Sequence, residues 1–223
     1  MRAVLVTGRE MRGGGGLFDA VVEVAVNRGD RFSLITQHGQ ETMAIITITP
    51  PAVEPVTAAE IKASARIDGT EFDNEIAVLI ATFRRQAEHA QGRRLITQTV
   101  ELVLDAFPSD TDIDLLFPCV QSVTSVKYYD AAGVQQTLSS SAYSLDSDST
   151  PCWILVADSW PITKEVANAV RIRYVVGYGP SASDVPSGTR YWIIAQVCAA
   201  LDKQTPPAWV DRLLDAETVH RVA

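Results

Sequence analysis

Close pairs of metal-binding or disulfide-forming residues are missing from this sequence of 223 residues. Its three cysteines, Cys119, Cys152 and Cys198, are far apart, odd in number and include no C-x-x-C. That pattern argues against a disulfide framework and leaves free, partly buried thiols in a reducing compartment as the expectation. The three histidines, His38, His89 and His220, are equally scattered. No H-x₃-H or C-x₂₋₄-C pair exists to hold a metal, so no metal and no cofactor are expected. G-x-S-x-G and H-E-x-x-H are also absent, which removes the commonest hydrolase signatures. No apolar run reaches about 18 residues, so no membrane-spanning helix is expected. The N-terminus lacks a basic n-region followed by a clean apolar h-region, so no signal peptide is expected either.

An excess of cations is missing too. The net charge is −8. Segment 1–42 holds five arginines against five acidic residues, so the acidity belongs to everything after it. An acidic chain does not grip nucleic-acid phosphates, which need clustered lysine and arginine. Anionic membrane surfaces are disfavoured for the same reason. At 47% hydrophobic and 21% charged residues, the chain can bury a core as one large domain, or one domain with an appendage.

Segment 1–42 reads as an N-terminal extension. "AVLVTG" has strand character, but the four glycines Gly13 to Gly16 match neither G-x-G-x-x-G nor the P-loop pattern. They read as a flexible link. "LFDAVVEVAVNRGDRFSLIT" alternates around an "NRGD" turn, which is either a hairpin or nothing ordered. Met43 opens a stretch that looks like a natural start, so 1–42 is expected to be an upstream, disordered or mis-annotated extension and 43–223 the folded domain.

The body predicts an α+β fold: a small helical bundle, with helices near 57–67, 74–91 and 186–203, and a large antiparallel β insertion over about 97–177. A Pro-rich extended arm leads in, and Thr57-Ala58-Ala59-Glu60 is a capping box. Asp73 is the expected N-cap of the second helix. Ile76, Leu79, Ile80, Phe83, Ala87 and Ala90 form its apolar stripe, and Gly92 stops it. Strands are predicted in "TVELVLDAF", "IDLLFP", "VQSVTSVKYYD", "VQQTL", Tyr143–Leu145 and Trp153–Val156. The last, "NAVRIRYVVGYG", turns Val170, Ile172, Tyr174 and Val176 to one face and Arg171 and Arg173 to the other. The third helix has Pro186 at its start and Tyr191, Ile194, Val197, Cys198 and Leu201 as its stripe, with Trp192 at one margin. The segment 205–223 follows as a short helix or an arm.

Chemistry is sparse. His89 reads as a surface residue near a helix C-terminus. "DSDS" (Asp146 to Ser149) lacks the grammar of a calcium loop and reads as an exposed turn, like the aspartates of "DTDID" (Asp110 to Asp114). Arg93, Arg94, Arg171 and Arg173 are the main basic cluster. In an acidic chain they point to ion pairs between subunits, or to solvated surface. Trp153 and Trp192 read as core, and Trp160 and Trp209, beside prolines, as interface anchors.

Taken in order, these pieces resemble the head–tail connector (adaptor) proteins of long-tailed bacteriophages and of related prophages and gene transfer agents. The resemblance runs from about Val56 to Leu214. Its most specific pieces are "GRRLITQT", "VQSVTSVKYYDAAGVQQTL" and "RYVVGYG". It implies a structural virion protein and no enzyme. Copies would form a ring, usually a dodecamer, beneath the portal of the DNA-filled head. The ring would continue the DNA channel without binding DNA specifically, and would offer an attachment surface to a tail-side stopper or tail-completion protein. Assembly would take place in the bacterial host cytoplasm, with no membrane involved. The portal contact carries onto Trp209 to Val219, with Trp209, Leu213, Leu214 and Val219 as its apolar residues. The sequence departs from the pattern in 1–42, which has no counterpart, and in "DAETVHRVA", which lacks an aromatic-and-arginine ending. Other readings are another virion part, such as a tail-completion or minor tail protein, or a small ligand-binding or enzymatic domain with its pocket in the β insertion.

Overall fold

Residues 26–27, 32–34, 43–108 and 112–219 are described by the computed structural model. The chain is α+β, as expected, and has two apolar cores joined at one place.

The first core lies between two antiparallel sheets. The larger has seven strands in the order β1-β2-β3-β4-β10-β6-β7. Here β1 is Val26–Asn27, β2 Phe32–Leu34, β3 Met43–Thr49, β4 Gln98–Leu104, β6 Val120–Tyr129, β7 Gln135–Thr137 and β10 Val170–Val176. The smaller has three in the order β5-β9-β8, with β5 Ile113–Leu115, β8 Tyr143–Asp146 and β9 Cys152–Val156. Every strand expected between 97 and 177 is present. The alternation of β10 places Val170, Ile172, Tyr174 and Val176 fully inside, against Leu102, Val126, Leu115 and Ile154. Burying side chains of this size contributes about 1.5–3 kcal/mol each, which fixes the register, because a one-residue slip would turn Arg171 and Arg173 inward.

Two expectations change here. The sheet is not only an insertion after the second helix. β3 precedes the helices and pairs Ile45 with Leu102 in the same sheet, although the sequence reading assigned no element to 43–49. On its other side β3 pairs with β2, and β2 with β1, so the residues flanking "NRGD" pair as a hairpin does. The turn itself and the four glycines lie outside the described residues.

The second core is helical. α1 spans Ala58–Ala65, α2 Asp73–Gln91 and α3 Ser187–Leu201. Thr57 caps α1 with the full capping box. The α2 N-cap is Phe72, without a side-chain bond, and Asp73 instead opens the helix and pairs with Lys62. Gly92 ends α2 at φ 64°, the left-handed value that a Cβ disfavours. The α2 stripe is rotated from the expected one: Ile76, Ile80 and Ala87 are buried, but so are Arg84, Glu88 and Gln91, while Ala90 is exposed. The α3 stripe also differs. Thr189, Trp192, Ile193 and Val197 face the core and Tyr191 is half exposed. α3 is apolar nearly all round, so spacing alone could not choose its inner face. Among the described residues no helix is long and apolar enough to cross a membrane.

Candidate functional site

The three fragments that carry the family resemblance are far apart in sequence and meet at the joint between the cores. Gly92 turns the chain out of α2, and Leu95 and Ile96 enter the helical core fully buried. Two residues later Gln98 begins β4 in the sheet. From "RYVVGYG", Tyr178 N–H donates to Leu95 O (3.1 Å), and Gly179 O accepts from Thr97 N–H (2.9 Å). Gly177 lies at φ 132°, and a Cβ there would sit 2.6 Å from the Ile96 carbonyl carbon. Only glycine lets these two backbones approach so closely. From "VQSVTSVKYYD", Gln121 donates to both Thr97 Oγ1 (2.8 Å) and Gly177 O (2.9 Å).

Beneath this backbone joint lies a buried charged cluster centred on Glu88. Its carboxylate accepts from Arg84 and Arg94 (3.2 Å each), from Leu95 N–H (3.1 Å) and from Gln98 (3.2 Å). Arg84 also reaches Glu54 at 2.7 Å, and Arg94 lies over the Phe117 ring, 4.5 Å from its centroid. A carboxylate this deep is tolerable because every neighbour is a donor. It ties α2, the junction and the start of β4 together.

The C-terminal arm docks on the same joint. Arg93 donates to the Tyr178 hydroxyl, which donates to Glu217 at 2.8 Å. Burial, then the bond to Glu217, push the Tyr178 phenol far above its ordinary range, so it stays a donor. Gln91, fully buried, donates its side-chain Nε2 to Thr189 and to Leu214 O, while its backbone carbonyl accepts from Val219 N–H. The arm forms two 3₁₀ turns, Asp211–Leu213 and Asp215–Glu217. Leu214 is buried in the helical core and Leu213 packs against it. Within the subunit, Leu214 therefore belongs to the core and Leu213 is half buried beside it. Val219 is half buried against α2. Trp209 alone of those four is exposed, at 52%, stacked on half-exposed Tyr191 with ring centroids 6.0 Å apart.

The expected arginine cluster is two clusters. Arg93 and Arg94 belong to the joint. Arg171 and Arg173 lie on the outer face of the large sheet and share Glu101, at 2.9 and 2.8 Å. Lys127 pairs across from Arg171 on that face, so the outer face carries three cations, two of which share one carboxylate.

The remaining candidates are quiet. His89 sits on the exposed side of α2. Asp146 accepts from Ser149 Oγ and from the Ser149 and Asp148 amides. The Ser149 hydroxyl leads in holding its carboxyl below the usual range. Burial pushes the Cys119 thiol up, which keeps it protonated. Among the described residues no cluster of three metal-binding side chains occurs. The sequence reading missed Glu88, Gln98, Glu101 and Gln121. The available signal was a polar residue on an otherwise apolar helical or strand face.

No protein-family model and no curated protein matches the sequence. Solved structures do match. One is a chain from the neck of an empty gene transfer agent particle computed with C6 symmetry, at TM-score 0.70 and 18% identity, covering 80% of this chain and 97% of that one. A second is from the virion of a native gene transfer agent particle, at TM-score 0.69 and 19% identity, with the same coverage. A third, from the neck of the native particle computed with C12 symmetry, matches at TM-score 0.57 and 20% identity over 79% of this chain and 97% of that one. This chain has the fold of those gene transfer agent neck chains, the fold class that its sequence resemblance implies.

Proposed function

We propose that this chain is a structural protein of a virion or gene-transfer-agent particle, a head–tail adaptor that assembles as a ring under the portal. Twelve copies would continue the DNA channel and present a surface to a tail-side stopper or tail-completion protein, after assembly in the host cytoplasm. The observation that carries this reading is coverage: the likeness takes in 97% of the neck chain's length, so it is the whole subunit that is similar and not a shared motif. The C6 and C12 symmetries of those particles agree with a ring. A net charge of −8 suits a channel that lets DNA slide past without sticking. No catalytic step is assigned to any residue.

A ring needs head-to-tail contacts that close. We assign the subunit contact to Arg171 and Arg173, whose side chains remain 38% and 39% exposed after pairing with Glu101. Arg93 and Arg94 act through the joint that shapes the subunit. We assign the portal contact to Trp209 with Tyr191, an exposed aromatic pair of the kind that anchors interfaces. The test is purification of the full chain with the portal protein from its own gene neighbourhood, imaged by negative stain. Rings seated on the portal are expected, with Trp209→Ala weakening the association. A full chain that never co-sediments with portal would remove the adaptor reading.

A further inference from the structure

A cleft of about 430 Å³ opens between the β4–β5 connection and the long loop from β9 to β10. Phe107 and Trp160 line it as a parallel stack, 4.7 Å between centroids and 5° between planes, and Tyr128 braces Phe107 edge-on at 5.6 Å. Pro108 and Pro161 continue the apolar lining. Ile162 stands at the rim, 82% exposed. The charged residues lining the cleft are Asp158 and Glu165, both exposed acids.

The loop that builds this cleft is held in place. Asp105 Oδ1 accepts from Asn168 N–H at 2.7 Å, Tyr129 O accepts from Lys164 N–H at 3.0 Å, and Thr163 bridges to Asp130. A preformed apolar trough loses little entropy when it is filled. Flat aromatic walls beside prolines suit an extended polyproline-II segment, which exposes flat rings and needs few hydrogen bonds from its site. The acidic rim asks for a cation beside the prolines.

Of the chain's two proline pairs, Pro50-Pro51 and Pro206-Pro207, only the second has a cation within three residues, Lys203. Lys203, Gln204, Thr205 and Pro207 are exposed just after α3, with Pro206 half buried between them. Lys203 leaves the helix at φ 55°, in the left-handed region, and Gln204–Pro207 follow outside any helix or strand. In the structure this segment follows α3 on the helical side of the molecule, and the cleft lies in the sheet half. We propose that the Phe107–Trp160 cleft is a binding site for the Lys203–Ala208 segment of a second copy. The prolines lie on the half-buried Trp160 ring, which stacks on buried Phe107, and Lys203 faces Asp158 and Glu165. Cleft and segment are different surfaces, so the contact is head-to-tail, the kind a ring requires. The idea rests on the ring reading only for its source of a second copy. Within a ring, proximity raises effective concentration enough for a weak contact to fill.

The test uses the full chain and a fluorescein-labelled peptide of residues 202–209, DKQTPPAW, read by anisotropy. Saturable binding is expected. Ile162→Asp should weaken it at least about tenfold without changing the melting curve, since Ile162 is a rim residue. A peptide with Pro206→Ala and Pro207→Ala should fail to bind. Asp158→Lys with Glu165→Lys should lose the native peptide and regain one carrying Lys203→Glu. Equal binding of the proline-free peptide, no binding up to millimolar concentration, or indifference to Ile162→Asp would each overturn the proposal. Equal affinity for a proline-rich peptide without a cation would overturn the second copy as occupant. Portal-seated rings that form although the peptide never binds would sink this site and leave the adaptor reading. Peptide binding without rings on portal would do the reverse.

Discussion

Glu88 and Glu101 are each held by two arginines, and the two groups differ mainly in their access to water. The Glu88 side chain is 1% exposed and its partners Arg84 and Arg94 are 7% and 16% exposed. The Glu101 side chain is 8% exposed, but Arg171 and Arg173 keep 38% and 39%. The inner group turns its bonded donors toward Glu88 and Glu54, within the chain. The outer group has guanidinium edges left for something outside the chain. Similar residues therefore do different jobs: desolvation turns one group into internal architecture and leaves the other as surface.

The strongest way to test that contrast is to remove each carboxylate. Glu88→Ala leaves Arg94 in a buried site without a counter-charge and Arg84 with Glu54 alone, and should cost roughly 3–5 kcal/mol in urea unfolding. Glu88→Gln keeps an acceptor for Leu95 N–H and should cost less. If Glu88→Ala unfolds at the parent's urea midpoint, the joint is not what holds the two cores together. Gly177→Ala attacks the same joint from its backbone side. The positive φ and the 2.6 Å approach to Ile96 should cost roughly 1–3 kcal/mol, seen as a lower melting temperature. An unchanged melt would mean that the two strands can part without loss.

Glu101→Gln should cost about 1 kcal/mol or less, because water re-solvates Arg171 and Arg173. A loss as large as that of Glu88→Ala would abolish the distinction between the groups. Glu60, paired with Arg190 at 2.5 Å, extends the series to the most exposed carboxylate. Its carboxyl is held below the usual range, first by the Thr57 backbone N–H. A depressed folded pKa stabilises above the unfolded value, near 4.3. That stabilisation is lost as pH falls through the folded pKa. Glu60→Gln keeps an acceptor for Thr57 but removes the charge, so it should flatten the acid limb of a pH–stability curve below about pH 4. An unchanged acid limb would show that the capping box adds nothing there.

The legibility of these features in sequence followed the same division. The capping box at Thr57, the stop at Gly92 and the inward face of β10 are short-range effects, written in neighbouring residues. The strands from β4 to β10 were readable because their alternation is strict. The inner face of α3 was not, because an almost wholly apolar helix has no preferred side. Nor was the partner of Arg94 or Arg171, since Glu88 lies six residues upstream of one and Glu101 seventy residues from the other. Leu214 shows the limit most plainly. An apolar residue in a C-terminal tail can face a partner or fold back, and spacing does not say which.

The sequence by itself determined the class of fold, the cap that starts α1 and the glycine that ends α2, the inner face of its central strand and the absence of close metal-ligand pairs. Each depends on interactions within a few residues of the chain. Only the tertiary structure decided that "GRRLITQT", "RYVVGYG" and the start of "VQSVTSVKYYD" are one joint, that Leu214 of the arm enters the helical core, and which arginines keep a free edge. Those outcomes depend on which distant groups exclude water from one another, and desolvation is a property of the packed whole.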